Sequence, residues 1–378
     1  MSGKSAVILG TTVPGGMAEV VKNLRESELF SAFRTRVIVT HDGGGKARRI
    51  AFFIKALIQL TGLLLASQVA LVHLQMAAHG SCWRKSAFLL LAQLFSVPTL
   101  LHLHGSEFRD FYEKECGPLR RRFIRFVLEH ASTVIVLSNR WRAYVATIAA
   151  GARVLTIHSF VNLKRLPEAE RVAVPRSSNT ILFIGLIGRR KGIYDLVRAL
   201  PEVIKAVPDA RLVAAGTGEI DAVRRCAREV GVDDRVLLPG WVSGFDKLRL
   251  LEEAAVYVLP SYNEGVPLSI LEAMTVGLPV IATPVGGIPD VLRDGEDGYL
   301  VPPGSTSELS RRIIELLNDR RLRERMGENA RRRLHAKFSA HIAVPALIAL
   351  YQQYAADAAL PRAVPTTRSH DASMARQR

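Results

Sequence analysis

Short apolar runs recur along the chain, and most of them are separated by longer stretches with helical spacing of apolar residues. Continuous apolar strands that alternate with helices are typical of parallel sheets covered on both faces. The runs fall into two series, at residues 6–9, 36–40, 69–73, 99–104, 133–137 and 154–157, and at 181–184, 210–215, 236–238, 255–259 and 279–282. The pattern predicts an α/β protein with two doubly wound domains and a cleft between them.

The break between the two series gives the domain boundaries. A polar, proline-containing stretch at 162–179 interrupts the alternation and indicates a linker. We therefore place the first domain at residues 1–165 and the second at 175–337. A last apolar helix is predicted at about 340–355, whereas residues 356–378 have little to bury and are predicted to be disordered.

One apolar stretch, residues 50–74, is long enough to cross a bilayer. Four polar residues interrupt it, namely Lys55, Gln59, Ser67 and Gln68. Such side chains are costly inside a membrane, so a core helix at about 50–65 followed by a buried strand at 69–73 is the favoured interpretation. Insertion of this stretch into a membrane is the alternative.

Length and composition fit two globular domains. The chain has 378 residues with 48% hydrophobic content, enough for two cores of ordinary size. Its three cysteines have no metal-ligand spacing and give no disulfide framework, which indicates a reducing compartment. The N-terminal apolar run is too short for a signal peptide, so we expect a cytoplasmic protein.

The net charge of +16 is concentrated in the first domain, because residues 1–165 hold 22 Lys/Arg against 9 Asp/Glu. Basic residues cluster at 46–49 and 84–85, and a third cluster alternates with apolar residues at amphipathic spacing: Arg120, Arg121, Arg122 and Arg125. This pattern predicts contact with an anionic membrane surface, and a solvated basic face is the alternative. Nucleic acid is not expected as a partner, because the chain has no nucleic-acid motif and only 7% aromatic residues.

The strongest functional signal is a pair of glutamates, Glu264 and Glu272, in a strand–loop–helix–strand unit. Glu264 lies in a polar loop after a buried strand, and Glu272 lies about two turns into a helix predicted to start near Val266. Open α/β sheets bind ligands at the carboxyl ends of their strands, where a helix N-terminus favours an anion. Because apolar residues flank Glu272, its carboxylate needs a ligand hydroxyl or another buried partner.

Other candidate residues follow strands at the same edge of each sheet. The first strand ends in a loop with Gly15 and Gly16, which lacks the spacing of a dinucleotide-binding loop. His104 ends the fourth strand, and the segment Arg-Arg-Lys-Gly at 189–192 would neutralise a diphosphate. Taken singly, each feature also fits a structural role. Two glycine-rich turns follow strands of the second domain, at 216–218 and 240–242.

Together these motifs resemble the retaining nucleotide-sugar glycosyltransferases of family four, which have the GT-B fold of two Rossmann-like domains facing each other across a cleft. The resemblance rests on the two glutamates, Arg-Lys-Gly at 190–192, Gly-Gly at 286–287 and Asp-Gly-Tyr-Leu-Val-Pro-Pro-Gly at 297–304. It implies that the first domain binds the acceptor and the second binds the donor. It also implies that no metal or other cofactor is needed and that the last helix packs back on the first domain.

The resemblance implies roles for individual residues. His104, Glu264 and Lys191 are expected to be catalytic, with His104 and Glu264 on the donor sugar and Lys191 on the diphosphate. Glu272 is expected to bind the ribose hydroxyls. The remaining donor-binding residues are expected to be Gly15, Gly16, Arg189, Arg190, Gly216, Val242, Gly265, Val266, Leu268 and Ser269.

One departure from the family pattern concerns the residues that would bind the leaving diphosphate. Leu186 stands where such enzymes usually have an arginine that is paired with the lysine on the leaving diphosphate. We therefore expect Arg189 or Arg190 to supply the missing charge. The domain junction at 158–162, His-Ser-Phe-Val-Asn, also departs from the usual sequence.

The expected function is transfer of a hexose, with retention, from a GDP- or UDP-linked donor to a hydroxyl of a lipid-linked saccharide. The basic first domain indicates an acceptor at the inner face of a bacterial membrane, so we expect a peripheral location there. The segment 189–196 resembles that of bacterial exopolysaccharide transferases. Two alternatives remain open. One is a sugar-nucleotide epimerase of the same fold, and the other, suggested by Leu186, is a non-catalytic scaffold of a polysaccharide complex.

Overall fold

The computed structural model describes residues 4–13, 15–162 and 179–357, which form two six-stranded parallel sheets. The first sheet contains β1 (Ser5–Gly10), β2 (Arg36–Val39), β3 (Val69–Met76), β4 (Thr99–Leu103), β5 (Thr133–Val136) and β6 (Val154–Thr156). The second contains β7 (Thr180–Ile184), β8 (Arg211–Ala215), β9 (Val236–Gly240), β10 (Val256–Leu259), β11 (Val280–Ala282) and β12 (Gly298–Leu300). The strand orders are β2-β1-β3-β4-β5-β6 and β12-β11-β10-β7-β8-β9.

Helices connect most of the strands and cover both faces of each sheet. They are α1 (Gly16–Arg25), α2 (Glu28–Ala32), α3 (Lys46–Leu65), α4 (Gly80–Leu94), α5 (Phe108–Asp110), α6 (Pro118–His130), α7 (Asn139–Ile148), α8 (Ile193–Ala206), α9 (Ile220–Glu229), α10 (Gly244–Glu253), α11 (Leu268–Thr275), α12 (Ile288–Val291), α13 (Thr306–Asn318), α14 (Arg320–Lys337) and α15 (Ala340–Asp357). A π-helical turn follows α5 at Phe111–Glu115, and 3₁₀ turns occupy Arg189–Lys191 and Asp233–Arg235.

The central strands are buried on both faces, which explains their continuous apolar sequences. In β1 the side chains of Val7, Ile8 and Leu9 are fully buried, and β10 is buried along its whole length. A parallel strand between helices has no solvent face, so apolar residues do not alternate with polar ones. The predicted architecture of two doubly wound α/β domains is confirmed.

The edge strand β12, Gly298–Leu300, is absent from the sequence prediction. It has three residues, Gly-Tyr-Leu, and pairs in parallel with β11 through Val280–Gly298 and Ile281–Tyr299. A strand this short gives no periodicity, so its position depends on pairing with a neighbour that is distant in sequence.

The last helix, α15, lies against the first domain although it follows the second in sequence. It contacts α2 and β3. The hydroxyl of Tyr351 lies 2.7 Å from Nδ1 of His73, and the hydroxyl of Tyr354 lies 2.7 Å from Oγ1 of Thr133. The chain therefore crosses between the domains a second time, near a bridge that joins Val161 and Ser339.

The apolar stretch at 50–74 forms the helix α3 and the strand β3, as predicted, although α3 starts earlier, at Lys46. The prediction of a core helix was wrong, because α3 buries Ala56, Leu60 and Leu64 and leaves several large apolar side chains exposed. Among the residues that the structure describes, no helix is long and apolar enough to cross a membrane. Most of the predicted linker and nearly all of the predicted disordered tail lie outside the described residues.

Candidate active site

The carboxyl ends of the strands in both sheets face a shared cleft of about 490 Å³. This volume lies within the range of small-molecule sites, roughly 300–1,000 Å³. The cleft is lined by all but one of the residues predicted for the site, namely Gly15, Gly16, His104, Arg190, Lys191, Gly216, Val242, Glu264, Gly265, Val266, Leu268, Ser269 and Glu272. The exception is Arg189.

Glu264 lies in the loop between β10 and α11, with a side chain that is almost fully buried. Its Oε1 accepts hydrogen bonds from Lys191 Nζ at 2.5 Å and from Ser261 Oγ at 2.7 Å. A buried carboxylate needs such partners to remain ionised. The two residues predicted to act on the donor sugar and on the diphosphate are therefore paired directly with each other.

The Gly-Gly motif at 286–287 supports this loop and does not line the cleft. Gly286 has a φ of +55°, and a Cβ at this position would lie 1.7 Å from the carbonyl oxygen of Glu264. The amide of Gly287 donates to the carbonyl of Gly265 at 2.7 Å. Only glycine allows this close approach, so the motif holds the Glu264 backbone in place.

Glu272 also pairs with a lysine. Its Oε1 accepts a hydrogen bond from Lys247 Nζ at 2.7 Å, which brings α10 and α11 together at the cleft. The helix α11 starts at Leu268, so Glu272 lies just over one turn into it, and the prediction of about two turns was wrong. Pro267 delays the start of the helix, because proline disfavours helical backbone in the residue before it; Val266 therefore stays outside the helix and Pro267 is its extended N-cap residue.

Lys247 is a site residue that sequence reasoning missed. It lies in the first turn of α10, shortly after the glycine-rich turn at 240–242. The apolar surroundings of Glu272 had indicated an unidentified partner. Sequence alone could not select the lysine, because the two side chains meet only when α10 and α11 pack at the same sheet edge.

The start of α11 also faces the cleft, where Leu268 and Ser269 line the wall. The first amides of a helix have no partners within the helix, and the helix dipole is positive at that end. This end of α11 therefore offers hydrogen-bond donors to an anion.

The two adjacent arginines at 189–190 point in different directions. The Arg190 guanidinium lies in the cleft, where Nη1 donates to the carbonyl of Asn263 at 3.1 Å and Nε lies 3.3 Å from Glu107 of the first domain. Arg189 instead stacks over the ring of Tyr194 at 5.5 Å, outside the cleft. Of the two arginines expected to replace the family arginine, Arg190 alone lines the cleft. The half-exposed Leu186 lines it as well.

The 3₁₀ turn that carries Lys191 is fixed by the glycine that follows. Gly192 has a φ of +71°, and a Cβ there would lie 1.9 Å from the carbonyl oxygen of Pro260. This contact ties the turn to the segment that leads into the Glu264 loop. The spacing between Lys191 and Glu264 is therefore set by backbone packing.

His104 lies directly after β4 and faces the second domain. Its Nε2 donates to Oε1 of Gln75 at 2.5 Å, and its ring centroid lies 4.1 Å from that of His102. Burial lowers the pKa of His104 to about 3, so its imidazole is neutral at pH 7. With Nε2 donating, Nδ1 is left as a hydrogen-bond acceptor.

The arginines predicted for a membrane surface lie on α6, away from the cleft. Arg120 and Arg122 are exposed. Arg121 Nε donates to the carbonyl of Tyr112 at 2.9 Å, which links α6 to the π-helical turn. Arg125 Nε donates to the carbonyl of Ile148 at 3.0 Å, which links α6 to α7. In the part of the chain that the structure describes, no group of three or more His, Cys, Asp or Glu side chains is arranged to hold a metal ion.

Comparison with known families matches both halves of the chain. Residues 16–159 match the family described as glycosyl transferase 4-like domain, and residues 166–333 match the glycosyl transferases group 1.

Similar curated proteins are also glycosyltransferases. The chain is 27% identical over 282 residues to alpha-D-kanosaminyltransferase of Streptomyces kanamyceticus, a match that covers 70% of this chain and 72% of that protein. It is 34% identical over 192 residues to phosphatidyl-myo-inositol mannosyltransferase of Mycobacterium leprae, a match that covers 50% of each.

Solved structures share the fold across nearly the whole chain. Sucrose-phosphate synthase of Thermosynechococcus elongatus has a TM-score of 0.79 at 23% identity, covering 94% of this chain and 100% of that one. HepE of Anabaena, solved with UDP and glucose, has a TM-score of 0.69 at 16% identity, covering 94% and 98%. With both domains matched in sequence and in fold, the chain belongs to the group 1 glycosyltransferases, family four, and has the GT-B fold.

Proposed function

We propose that this glycosyltransferase moves a hexose, with retention of configuration, from a nucleoside-diphosphate sugar bound by the second domain to a hydroxyl of an acceptor bound by the first. The observation that carries the proposal is the pairing of Glu264 with Lys191 and of Glu272 with Lys247 on one wall, opposite the neutral His104. These groups match the hydroxyls and the diphosphate of such a donor in charge and in hydrogen-bonding capacity.

Donor binding would exchange the lysine partners. The diphosphate would bind Lys191 and the free backbone amides at the start of α11. Loss of Lys191 leaves Oε1 of Glu264 free to accept from a sugar hydroxyl, while Ser261 still donates to it. Glu272 accepts from the ribose hydroxyls. Until the donor arrives, each carboxylate has a lysine as its partner.

Transfer requires that the bond between the anomeric carbon and the diphosphate oxygen breaks, with its electron pair leaving on the diphosphate. Lys191 and Arg190 neutralise the charge that develops there, and Arg190 takes the role of the arginine that Leu186 replaces. The acceptor hydroxyl attacks from the same face through an oxocarbenium-like state and passes its proton to the leaving phosphate oxygen. We propose that these cations serve without a metal.

The stereochemical and metal proposals are tested on the purified protein. Proton NMR of the first product formed is expected to show the same anomeric configuration as the donor, and an inverted product would disprove retention. Activity is expected to survive EDTA, whereas loss that Mg²⁺ or Mn²⁺ restores would show metal dependence.

The nucleotide is identified by thermal unfolding with UDP, GDP and ADP. A nucleotide at one hundred times its dissociation constant stabilises the fold by about 2.7 kcal/mol. UDP is the first candidate, because HepE, a protein of the same fold, was solved with UDP and with UDP-glucose. If no nucleotide raises Tm, the donor site is wrongly assigned. Interconversion of a nucleotide sugar without any acceptor would favour the epimerase alternative.

We propose that the acceptor is a lipid-linked saccharide and that the enzyme works peripherally at the cytoplasmic face of a bacterial membrane. Support comes from α3, whose outward face exposes Ile50, Ile54 and Ile58 at intervals of four residues, followed by Leu65. Basic residues at the start of this helix add attraction to anionic lipid. One similar enzyme is named for mannosyl transfer to a phosphatidyl-myo-inositol.

Cosedimentation with vesicles of phosphatidylcholine and phosphatidylglycerol tests the membrane proposal. Ile54→Glu is expected to abolish binding, because it places a charge within the apolar stripe. Leu237→Glu, at an exposed position of the second domain, is the matched control. Binding that survives Ile54→Glu would show that α3 is not the membrane-contacting element.

A further inference from the structure

A cluster of cations lies on the first-domain side of the cleft, apart from the donor residues. It consists of Arg49 at the start of α3 together with Arg84 and Lys85 in α4. Lys85 donates to Thr40 and Arg49 Nε donates to the carbonyl of Gly44 at 2.9 Å, so both side chains reach the segment after β2 that contains His41. All three cations lower the pKa of His41, in agreement with these contacts. The proposed transfer mechanism assigns no role to any of them.

Lys85 is the most unusual member, because its side chain is only 2% exposed. Its ammonium donates to Oγ1 of Thr40, a neutral hydroxyl that in turn donates to the carbonyl of Gly10. Burial lowers the pKa of Lys85 well below its ordinary value, and Arg84 lowers it further. A buried cation beside other cations is costly unless an anion joins it.

No carboxylate in the described residues forms an ion pair with Arg49, Arg84 or Lys85. The nearby carboxylate of Asp42 forms its ion pair with Arg48, at 2.6 Å. Arg84 Nε is buried and has no hydrogen-bond partner among the residues that the structure describes. Arg49 Nε donates to the carbonyl of Gly44, so the unmet donor of the cluster is Arg84 Nε, and its three positive charges have no carboxylate partner among the described residues.

The cluster borders the cleft. Arg84 Nη1 lies 3.0 Å from the position that a Cβ on Gly80 would occupy, and His79, which precedes Gly80, lines the cleft. Thr40 and His41 contact the loop after β1, which leads to Gly15 in the same wall. A ligand group held here would lie on the side opposite the donor wall.

We propose that Arg49, Arg84 and Lys85 form a binding site for a phosphate or diphosphate group of the acceptor. A dianionic group would supply the missing counter-charge, and arginine presents the forked donors that phosphate oxygens accept. This inference rests on the proposed transfer to an acceptor and adds the chemical class of that acceptor. The phosphate belongs either to a lipid headgroup or to a soluble sugar phosphate.

The competing role for Lys85 is structural, as a tether for Thr40. A tether makes Lys85→Met destabilising under all conditions. An anion site predicts instead that inorganic pyrophosphate raises the Tm of wild-type protein already saturated with its nucleoside diphosphate, so that the position at Lys191 is filled. This rise disappears in Lys85→Met, whatever the Tm of the variant without pyrophosphate. Pyrophosphate stabilisation that persists in the folded, nucleotide-saturated Lys85→Met variant would overturn the assignment of this lysine.

The central test is calorimetric titration of inorganic pyrophosphate into protein already saturated with the nucleoside diphosphate that raises its Tm. The bound nucleotide fills the diphosphate position at Lys191, so the titration measures a second site. Arg84→Gln and Arg49→Gln are each expected to weaken pyrophosphate binding at least tenfold. Arg142→Gln removes an exposed positive charge from the same domain and is expected to leave it unchanged.

The variants then distinguish the two sources of phosphate. Phosphatidylcholine vesicles that contain phosphatidic acid present a lipid phosphomonoester. If Arg84→Gln weakens both pyrophosphate binding and vesicle binding, the site binds a lipid phosphate. If it weakens pyrophosphate binding alone, the site binds a soluble phosphate. Unchanged pyrophosphate binding in Arg84→Gln overturns the proposal. That failure is distinct from failure of the proposed function, which appears as absent nucleotide binding in the wild type.

Discussion

The two walls of the cleft carry charge in different ways. On the second-domain wall each carboxylate has a lysine partner, Glu264 with Lys191 and Glu272 with Lys247. On the first-domain wall the histidine is neutral, and the nearby cation cluster of Arg49, Arg84 and Lys85 has no carboxylate partner among the described residues. The donor carboxylates are paired before any ligand binds. The first-domain wall itself carries Glu19 and Glu107, and the excess of positive charge lies in the cation cluster beside it.

This difference indicates how each wall would use a ligand. Breaking a buried ion pair is costly, so the paired wall requires a ligand that replaces both partners at once. A nucleotide sugar does so, because its diphosphate replaces the carboxylate and its hydroxyls replace the ammonium. The cation cluster beside the first-domain wall gains from an anion alone. The paired wall therefore suits selectivity for a donor, and the cation cluster suits capture of an anionic acceptor.

The largest effect is expected from Lys191→Met, which removes one ion pair from the second-domain wall. It removes the charge on the leaving diphosphate and leaves Glu264 buried without its ammonium. We expect the transfer rate to fall by about a thousandfold, or about 4 kcal/mol of transition-state stabilisation. The measurement is the initial rate of nucleoside diphosphate release. Lys205→Met, exposed on α8, should retain full activity, and equal rates for both variants would contradict the role of Lys191.

A smaller loss is expected from Glu272→Gln, which keeps the shape of the side chain and removes its charge. Lys247 then loses its ion pair and the ribose loses a charged acceptor. Hydrogen bonds to charged groups contribute about 2 kcal/mol, so the nucleotide dissociation constant should rise about thirtyfold. Calorimetry with the preferred nucleotide measures this change. The exposed substitution Glu253→Gln on α10 is the control, and an unaltered affinity would remove Glu272 from the ribose site.

Acidification tests three buried histidines of the first domain, of which His104 lines the cleft. Burial lowers the pKa of His73 and of His104 to about 3, and it lowers that of His102 well below 6.5. The unfolded chain binds protons on these residues below about pH 6.5 and the folded chain does not, so stability falls as the pH drops from 6.5 toward 3.

Each histidine contributes about 1.4 kcal/mol per pH unit to this loss once the pH is well below 6.5. Urea unfolding at pH 7, 6 and 5 measures the slope. His102→Asn should make the slope shallower by the share of one histidine. A slope unaffected by His102→Asn would show that this ring is protonated in the fold.

The smallest effect is expected from Leu186→Arg, which adds to the donor wall the charge that the family usually has there. Leu186 is 53% exposed, so the new guanidinium is partly screened by water and gains at most about 1 kcal/mol. The KM for the donor should fall about twofold to fivefold with an unchanged fold. Leu237→Arg provides a control outside the cleft. A much larger gain would mean that Arg190 does not serve the diphosphate.

Much of the fold could be predicted from the sequence, because buried parallel strands are continuous apolar runs. The first sheet was predicted with all six of its strands, and in the second only β12 was absent. Glycine-rich turns and the two glutamates located the candidate cleft, since parallel strands bring their carboxyl ends to one edge. The start of α11 was misplaced by two residues because the apolar pattern continues through its proline.

By itself, the sequence determined that there are two doubly wound domains and which residues lie at the cleft. The tertiary structure decided how those residues are paired: Arg190 and not Arg189 enters the cleft, Lys247 reaches Glu272, and Lys85 is buried beside other cations. The reason is physical. Periodicity and glycine placement are local properties of the chain, whereas ion pairs and unpaired charges depend on side chains from elements that are distant in sequence and meet only in the folded state.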